Sequence, residues 1–503
     1  MILPTNDSVV KKEKILLLSD DMRMHSGIAT MSREIILGTV HKYDWVQIAG
    51  AIQHPEKGKV ISISDAIRKE TGVPDANVIL YPVDGYGNED ILYAIIDREK
   101  PTAIMHFTDP RFWGWLYAIE RQLRRKYPLT YLNIWDDVPF PMYNKAFYES
   151  CDLLMSISKQ TYNINKHVIG PNNCITINDP YSPDKHILHY VPHGINSNIF
   201  RPIPKDDSLL KKRKKDMFHD KDYKFVILYN SRNVQRKRTS NIVLAYRAFC
   251  DNLPKEEAKK CLLVLHTEVR CDAGTDLVAV KEALCPDYDI AFSTNKLTPD
   301  DMNLLYNITD VTINISSNEG FGLSTAESLM SGTPIIVNVT GGLQDQIGQT
   351  KDDGSPIEFD SSFGSNNVGK YRKHGVWVYP LWPVTGYIQG SIPTPYIFDD
   401  MARWEDAAES IMYWYQMDTE KRRACGIKGR EWALNEGGIN AKNMCKQFVD
   451  AMDYTISNFK PVKQFGLFTE SDYVGNQTIN GLGFEIPKLE VEAIKEKTKL
   501  VEV

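Results

Sequence analysis

The segment Asn318-Glu-Gly-Phe-Gly-Leu-Ser-Thr-Ala-Glu-Ser-Leu-Met-Ser-Gly-Thr-Pro334 sets two carboxylates, Glu319 and Glu327, around a pair of glycines. An apolar run ends at Ile315 just before it, and Gly332 closes it. The pattern reads as a strand, a turn and a helix that starts near Leu323. Gly320 and Gly322 let the backbone approach a ligand closely, and free amides at a helix start hold anions. The glycines break the helix between the two acids, so both carboxylates can point into one crevice. Glu327, just inside the helix, is placed to accept the hydroxyls of a ribose. A strand–turn–helix corner whose acids only cap would look the same, so a second feature must decide.

That feature is cationic. The apolar run Phe225-Val-Ile-Leu-Tyr229 leads into Asn230-Ser-Arg-Asn-Val-Gln-Arg-Lys-Arg-Thr239, which puts Arg232 and Lys237 at the carboxyl end of a strand. Ligands of open α/β sheets bind at that end. A diphosphate leaving group gains charge as its bond to a sugar breaks, and two fixed cations would stabilise it.

The elements that must position these groups form two strand–helix series. Short apolar runs at Lys14–Ser19, Trp45–Ala49, Val78–Tyr81, Ala103–His106, Leu129–Ile134 and Asp152–Ser156 alternate with helical patterns. Their uniform apolarity suits parallel strands covered on both faces. A second series runs through Phe225–Tyr229, Leu262–His266, Val311–Ile315 and Pro334–Asn338. The expected class is α/β, with two doubly wound Rossmann-like domains facing across a cleft. The division is a tail over 1–13, an N-terminal Rossmann-like domain over 14–198 and a C-terminal Rossmann-like domain over 199–438, which the resemblance set out below makes the acceptor and nucleotide-sugar domains. The latter carries an insertion at about 344–400, where Gly, Pro, Ser and aromatics interrupt the rhythm. A helix over 439–460 is expected to return to the N-terminal domain, and 461–503 is a weakly patterned tail.

Three motifs in order carry a resemblance. Glu319 to Glu327 is an E-x7-E element, and Ser231-Arg-Asn-Val-Gln-Arg-Lys237 resembles a G-R-x4-K loop with Ser for Gly. Tyr190-Val-Pro-His-Gly-Ile-Asn-Ser-Asn-Ile-Phe-Arg-Pro202 is similar to the interdomain P-N-G-V-D-x3-F-x-P signature. Together, over roughly residues 14 to 460, they resemble the family 4, glycogen-synthase-like retaining glycosyltransferases of GT-B fold. The resemblance implies a donor that is a nucleotide diphosphate sugar. Glu319 would contact the transferred sugar and Glu327 the ribose. Arg232 and Lys237 would hold the diphosphate with amides near Gly322 and Leu323, and Phe321 would lie on the sugar or acceptor side. Met24-His-Ser-Gly-Ile-Ala29 looks like the family's glycine loop, with Gly27 where many members have two glycines. Members often carry H-x-H followed by an acid; here His106, Thr108 and Asp109 occupy those places. Either His106 meets the sugar by a register shift, or Thr108 and Asp109 line the pocket without a histidine. Such enzymes use the leaving phosphate to help deprotonate the acceptor, and they generally need no metal or other cofactor.

Composition narrows the rest. The chain has 503 residues, 42% hydrophobic and 25% charged, with a formal net charge of −6, which excludes wholesale disorder and general adhesion to nucleic acid. Eight scattered cysteines without a CxxC pair read as reduced core residues. The first residues lack the apolar run of a signal peptide, and no window reaches the length of a membrane helix. A cytoplasmic enzyme is expected. Asp287-Tyr-Asp289, a D-x-D, precedes a strand and reads as a surface turn. Gly364-Ser-Asn-Asn-Val-Gly-Lys-Tyr371 imitates a P-loop, but Tyr371 replaces the Ser or Thr that would meet Mg²⁺ and the flanks do not read as strand and helix.

The acceptor is open at this level. The broader reading is a glycan or lipid-linked sugar. The Lys- and Asn-rich texture also resembles glycosyltransferases of large tailed phages, some of which modify hydroxymethylated pyrimidines in DNA. In that alternative Arg121-Gln-Leu-Arg-Arg-Lys126 or Lys211-Lys-Arg-Lys-Lys215 would meet phosphates, and Trp113, Trp115 or Trp135 would stack on a flipped base. A GT-B-shaped epimerase or phosphorylase is the alternative of another class.

Overall fold

The computed structural model describes residues 11–218, 221–359, 366 and 370–462. Most of the tails expected over 1–13 and 461–503 therefore lies outside the described residues, as does most of the P-loop lookalike.

The N-terminal sheet has nine strands: β1 (Glu13–Asp20), β2 (Tyr43–Gly50), β3 (Ile61–Ser62), β4 (Val78–Pro82), β5 (Ala103–Phe107), β6 (Leu129–Asn133), β7 (Leu153–Ser156), β8 (Cys174–Ile175) and β9 (His186–Tyr190). Their spatial order is β3-β4-β2-β1-β5-β6-β7-β9-β8, parallel except for the β3–β4 pair. The central strands β1, β5 and β6 are almost wholly buried because helices cover both faces. That is why their sequence runs apolar without alternation.

The C-terminal sheet is a second parallel layer, β12-β11-β10-β13-β14-β15. Its strands are β10 (Phe225–Asn230), β11 (Cys261–His266), β12 (Ile290–Ser293), β13 (Val311–Asn314), β14 (Ile335–Asn338) and β15 (Val378–Leu381). The expected insertion at about 344–400 is corrected here, since β15 lies inside it and pairs with β14 as the sixth strand. Its motif Val-Tyr-Pro-Leu is short, and an aromatic-rich approach hides it from any pattern count.

Beyond β15 the chain forms an antiparallel hairpin, β16 (Thr385–Ser391) and β17 (Thr394–Met401), which leaves its own domain. Phe398 N donates to Val138 O at 2.9 Å, the Tyr143 hydroxyl to Tyr396 O at 3.0 Å, and Arg111 to Thr394 Oγ1. At the base of the hairpin, Asp399 accepts from Ser317 Oγ, Asn318 Nδ2 and Arg238 Nη2. The hairpin thus straps one domain to the other beside the cleft.

Two further links cross the same gap. Asp345 Oδ2 accepts from Lys159 N at 3.0 Å and from the Tyr190 hydroxyl at 2.7 Å. The helix Ala441–Asn458 packs against the helix Gly27–Thr39 and against β7 and β9. Phe448 stacks on Trp45 at 5.8 Å, and the Tyr43 hydroxyl donates to Asp453. Gly38 makes this approach possible, because a Cβ there would overlap Cys445 Sγ.

Candidate active site

In parallel sheets the carboxyl ends of the strands collect the loops. Those ends face each other here, and the candidate residues lie between them.

On the C-terminal side, the loop after β10 turns at Gln235–Lys237 and is tied to the loop after β13 by Ser317 N donating to Arg236 O at 2.8 Å. This tie brings Lys237 onto Glu319 in a close ion pair, with side chains only 6% and 14% exposed. Arg236, unremarked in the sequence, donates to Asn318 O at 2.7 Å and stands 3.7 Å from Glu319. Burial alone would raise the Glu319 carboxyl; the Lys237 and Arg236 charges outweigh it and hold it below its ordinary range. Burial, with Arg236 beside it, pushes Lys237 down to about 8, so the pair is ionised at neutral pH. Arg232 is exposed at the lip of the same loop, close enough to Asp20 across the cleft to act on its charge.

The helix Leu323–Met330 begins at Gly322, whose φ of +88° demands glycine, and no side chain caps it. Its first amides are therefore open to an anion. A Cβ on Gly27 would stand 3.3 Å from Leu323 Cδ1, so the expected glycine loop and this helix start do meet across the cleft. Glu327 accepts one hydrogen bond, from the Tyr306 hydroxyl at 2.8 Å, and Tyr306 in turn accepts from Asn230 Nδ2 at 2.9 Å. Burial pushes the Glu327 carboxyl up to about 7, helped by Glu34 on the facing helix. Arg232, Lys237, Gly322, Leu323, Glu319 and Glu327 thus form one wall.

The N-terminal side corrects several expectations. His106 is fully buried in β5: its Nδ1 pairs with the Tyr117 hydroxyl at 2.8 Å and its ring stacks on Tyr131 at 4.9 Å. Burial drops its pKa to about 3, which makes it a neutral core imidazole set back from the cleft surface. Thr108 is also buried, accepting from Trp113 Nε1 at 2.8 Å. Asp109 caps the turn at Pro110–Trp113 and is bound by the Arg111 guanidinium. Phe321 is 3% exposed and packs edge-on against His193, which makes it an interdomain core residue. Trp113 and Trp135 are likewise buried; the exposed ring is Phe112, stacked on Tyr86 at 5.3 Å.

The acids that do face the cleft were unmarked. Asp20, at the end of β1, accepts from Ser26 Oγ at 2.9 Å and Tyr86 at 3.3 Å. Asp136, after β6, lies in the electrostatic field of Arg236, Glu319 and Lys237, and burial raises its pKa. The signal that marks this acid in the sequence is the pair Asp136-Asp137 directly after a buried strand. Among the described residues no group of three or more His, Cys, Asp or Glu is arranged to hold a metal ion. Asp289, of the D-x-D, is engaged by Lys221 and Tyr223.

Both basic runs lie at the wrong ends of the sheets for a cleft. Arg124 is bidentate to Asp152, beside the start of β6 and β7, and also meets Glu120. It is a structural ion pair and not a phosphate-facing charge.

Fold and a partial family match together point to a glycosyltransferase. Residues 211–362 match the family model described as "Glycosyl transferases group 1". The described residues have the GT-B fold. The chain is similar to Anabaena Alr3699/HepE, solved with UDP and glucose (TM-score 0.59, 14% identity, 88% of this chain and 99% of that one). Sucrose-phosphate synthase from Thermosynechococcus elongatus gives a TM-score of 0.58 at 14% identity, covering 89% and 100%. A glycosyltransferase from Rickettsia africae gives 0.56 at 15% identity, covering 89% and 100%. No curated protein matches in sequence. No helix among the described residues is long and apolar enough to cross a membrane.

Proposed function

We propose that the protein transfers a sugar from a nucleoside diphosphate sugar to an acceptor hydroxyl, with retention at the anomeric carbon and without a metal ion. The observation that carries this reading is the buried Lys237–Glu319 pair beside the uncapped helix start at Leu323, with Glu327 one helical turn in. The diphosphate lies over the amides at Gly322–Leu323 and against Arg232 and Lys237. Glu327 accepts the ribose hydroxyls, in competition with Tyr306. Glu319 stands by the sugar.

As the bond between the anomeric carbon and the phosphate oxygen breaks, its electron pair leaves with the diphosphate, and the two cations meet the developing charge. The acceptor oxygen bonds to the same face of the anomeric carbon, and its proton passes to the departing phosphate. Asp20 and Asp136 then face the acceptor side. The solved complex of Anabaena Alr3699/HepE with UDP and glucose supports trying UDP-sugars first.

The acceptor we propose is a glycan or lipid-linked sugar. Engagement of Arg124 by Asp152 takes one of the cations expected to meet phosphates out of the DNA alternative. All eight cysteines are unpaired, which fits a cytoplasmic setting. The test is thermal shift against a panel of nucleotide sugars, then transfer from the stabilising donor to simple sugars, lipid-linked sugars and hydroxymethylated DNA in excess chelator. Stabilisation by one donor and chelator-resistant transfer to a sugar are expected. Failure of every nucleotide sugar to stabilise the protein would sink the reading, and transfer to DNA alone would replace its acceptor.

A further inference from the structure

The run Lys211–Lys215 has no part in the cleft, yet it borders a cavity. The helix Ser208–Phe218 covers a pocket of about 450 Å³ in the C-terminal domain. The pocket lies at the starts of β13 and β14, beside Thr309, Asp310, Thr333 and Pro334, whereas the donor wall lies at the carboxyl ends of the sheet. Its size is that of a small-molecule site.

Five cations and one carboxylate line it: Lys205, Lys211, Lys214, Arg422, Arg423 and Asp310. The carboxylate is already satisfied. Asp310 Oδ1 accepts from Arg422 Nη2 at 2.5 Å, and its Oδ2 accepts from Val226 N at 2.8 Å. Lys205 is held by Glu420 outside the lining. Among the described residues no carboxylate lies within ion-pair distance of Lys211, Lys214 or Arg423; Arg423 donates to Ile203 O at 3.0 Å, and Lys214 sits over the Phe218 ring at 5.9 Å. An ordinary solvated face scatters its charges and has no cavity. Here three cations without a carboxylate partner converge on one, opposite an apolar wall of Pro202, Leu210, Ile308 and Ile427.

We infer that this pocket binds a small phosphorylated ligand, the phosphate against Lys211, Lys214 and Arg423 and the body against the apolar wall. The pocket floor is also the back of the donor wall. Ser331 N and Oγ both donate to Glu327 O, at 2.9 and 2.8 Å, and Thr333 Oγ1 donates to Tyr306 O at 2.8 Å. Occupancy therefore bears on the two elements that carry Glu327 and Tyr306, and the site acts as an effector site. That second half rests on the donor assignment above; the binding itself does not.

Calorimetric titration with pyrophosphate, with inorganic phosphate and with AMP tests it on the full chain. Wild type should show two sites for pyrophosphate. Lys211→Ala/Lys214→Ala, both exposed positions whose fold is checked by circular dichroism, should lose one of them or weaken it at least about tenfold. Arg232→Ala/Lys237→Ala should lose the other. AMP should follow the pocket more strongly than inorganic phosphate does, because the wall adds to the charge. A single wild-type site that vanishes in Arg232→Ala/Lys237→Ala, or two sites unchanged in the lysine variant, would overturn the proposal. So would sedimentation with phosphatidic-acid vesicles in place of AMP binding, which would make the ligand a lipid surface. For the effector half, AMP should change the affinity for UDP by a few-fold in wild type and not in Lys211→Ala/Lys214→Ala. An identical response in both would overturn that half.

Discussion

The two walls of the cleft are built alike, from loops at the carboxyl ends of parallel strands, but they read very differently in sequence. On the C-terminal wall, Arg232, Lys237, Glu319 and Glu327 come from two loops of fixed spacing. A bound diphosphate demands cations and glycines at those spacings, and only there can the backbone take φ of +88° at Gly322. On the N-terminal wall, the residues that resembled a motif, His106 and Thr108, went into the core. The residues that face the gap, Asp20, Tyr86, Phe112 and Asp136, lie at or after the ends of four separate strands, β1, β4, β5 and β6, with no shared spacing. On the proposed reading, a donor common to many enzymes would leave a spaced motif, whereas an acceptor surface would be specific to one chain and assembled only by the fold.

If the donor wall is the catalytic one, breaking it should have the largest effect. Arg232→Ala and Lys237→Ala should each lower kcat by on the order of 10²–10³, the cost of one preorganised charge, about 2.7–4 kcal/mol. The two differ in stability. Arg232 is exposed, and its loss should leave unfolding unchanged. Lys237 is buried on Glu319, so its loss strands a buried carboxylate and should cost about 3–5 kcal/mol in chemical denaturation. Full turnover in either variant would show that the pair is only structural.

Glu327 sharpens the comparison within that wall, between the reacting sugar and the unreacting ribose. Its carboxyl, pushed up to about 7, is half protonated near neutrality in the free protein. An ionised carboxylate accepts both ribose hydroxyls and the acid only one, so UDP should bind more tightly as pH rises from 6 to 8. Glu327→Gln should flatten that dependence and raise KM, with a loss of about 1.5–3 kcal/mol and little change in kcat. Glu319→Gln should do the reverse and lower kcat. The folded-state pKa is raised, so the stability Glu327 contributes is present below pH 4.5 and is lost as pH rises through 7. Glu327→Gln should therefore be the more stable protein at pH 8. A wild-type UDP affinity independent of pH would detach Glu327 from the ribose.

Most of the fold was legible for the same reason as the donor wall. Uniform apolar runs mark covered parallel strands, and β1, β5, β6, β10, β11, β13 and β14 lie where those runs stand. The illegible part is β15 with its hairpin. There the strand is four residues long, β16 is exposed along its length, and β17 takes its contacts from the other domain. Local pattern cannot report a partner that arrives from Val138 and Tyr143.

The smallest effect on catalysis is expected at the residue whose motif position promised most. Were His106 a sugar contact, His106→Gln would cut turnover and shift the pH profile. Its surroundings say otherwise: both ring nitrogens are directed at the Tyr117 and Thr108 hydroxyls, and Trp113, Tyr117 and Tyr131 enclose the ring. His106→Gln should leave kcat and KM within about twofold. It should instead lose about 1–3 kcal/mol of stability, because a buried hydroxyl is left without its partner. The acid side carries a second signature. His106 stays neutral when folded, at about 3, but takes a proton when unfolded near 6.5. The unfolded state then binds more protons, so wild-type stability falls as pH drops below about 6.5. Removing His106 should make that slope shallower without abolishing it, because His193, also buried and lowered to about 3, contributes a slope of its own. Equilibrium denaturation of wild type and His106→Gln between pH 4 and 8, alongside transfer rates, separates the two roles. A large loss of turnover with an unchanged acid slope would return His106 to the cleft.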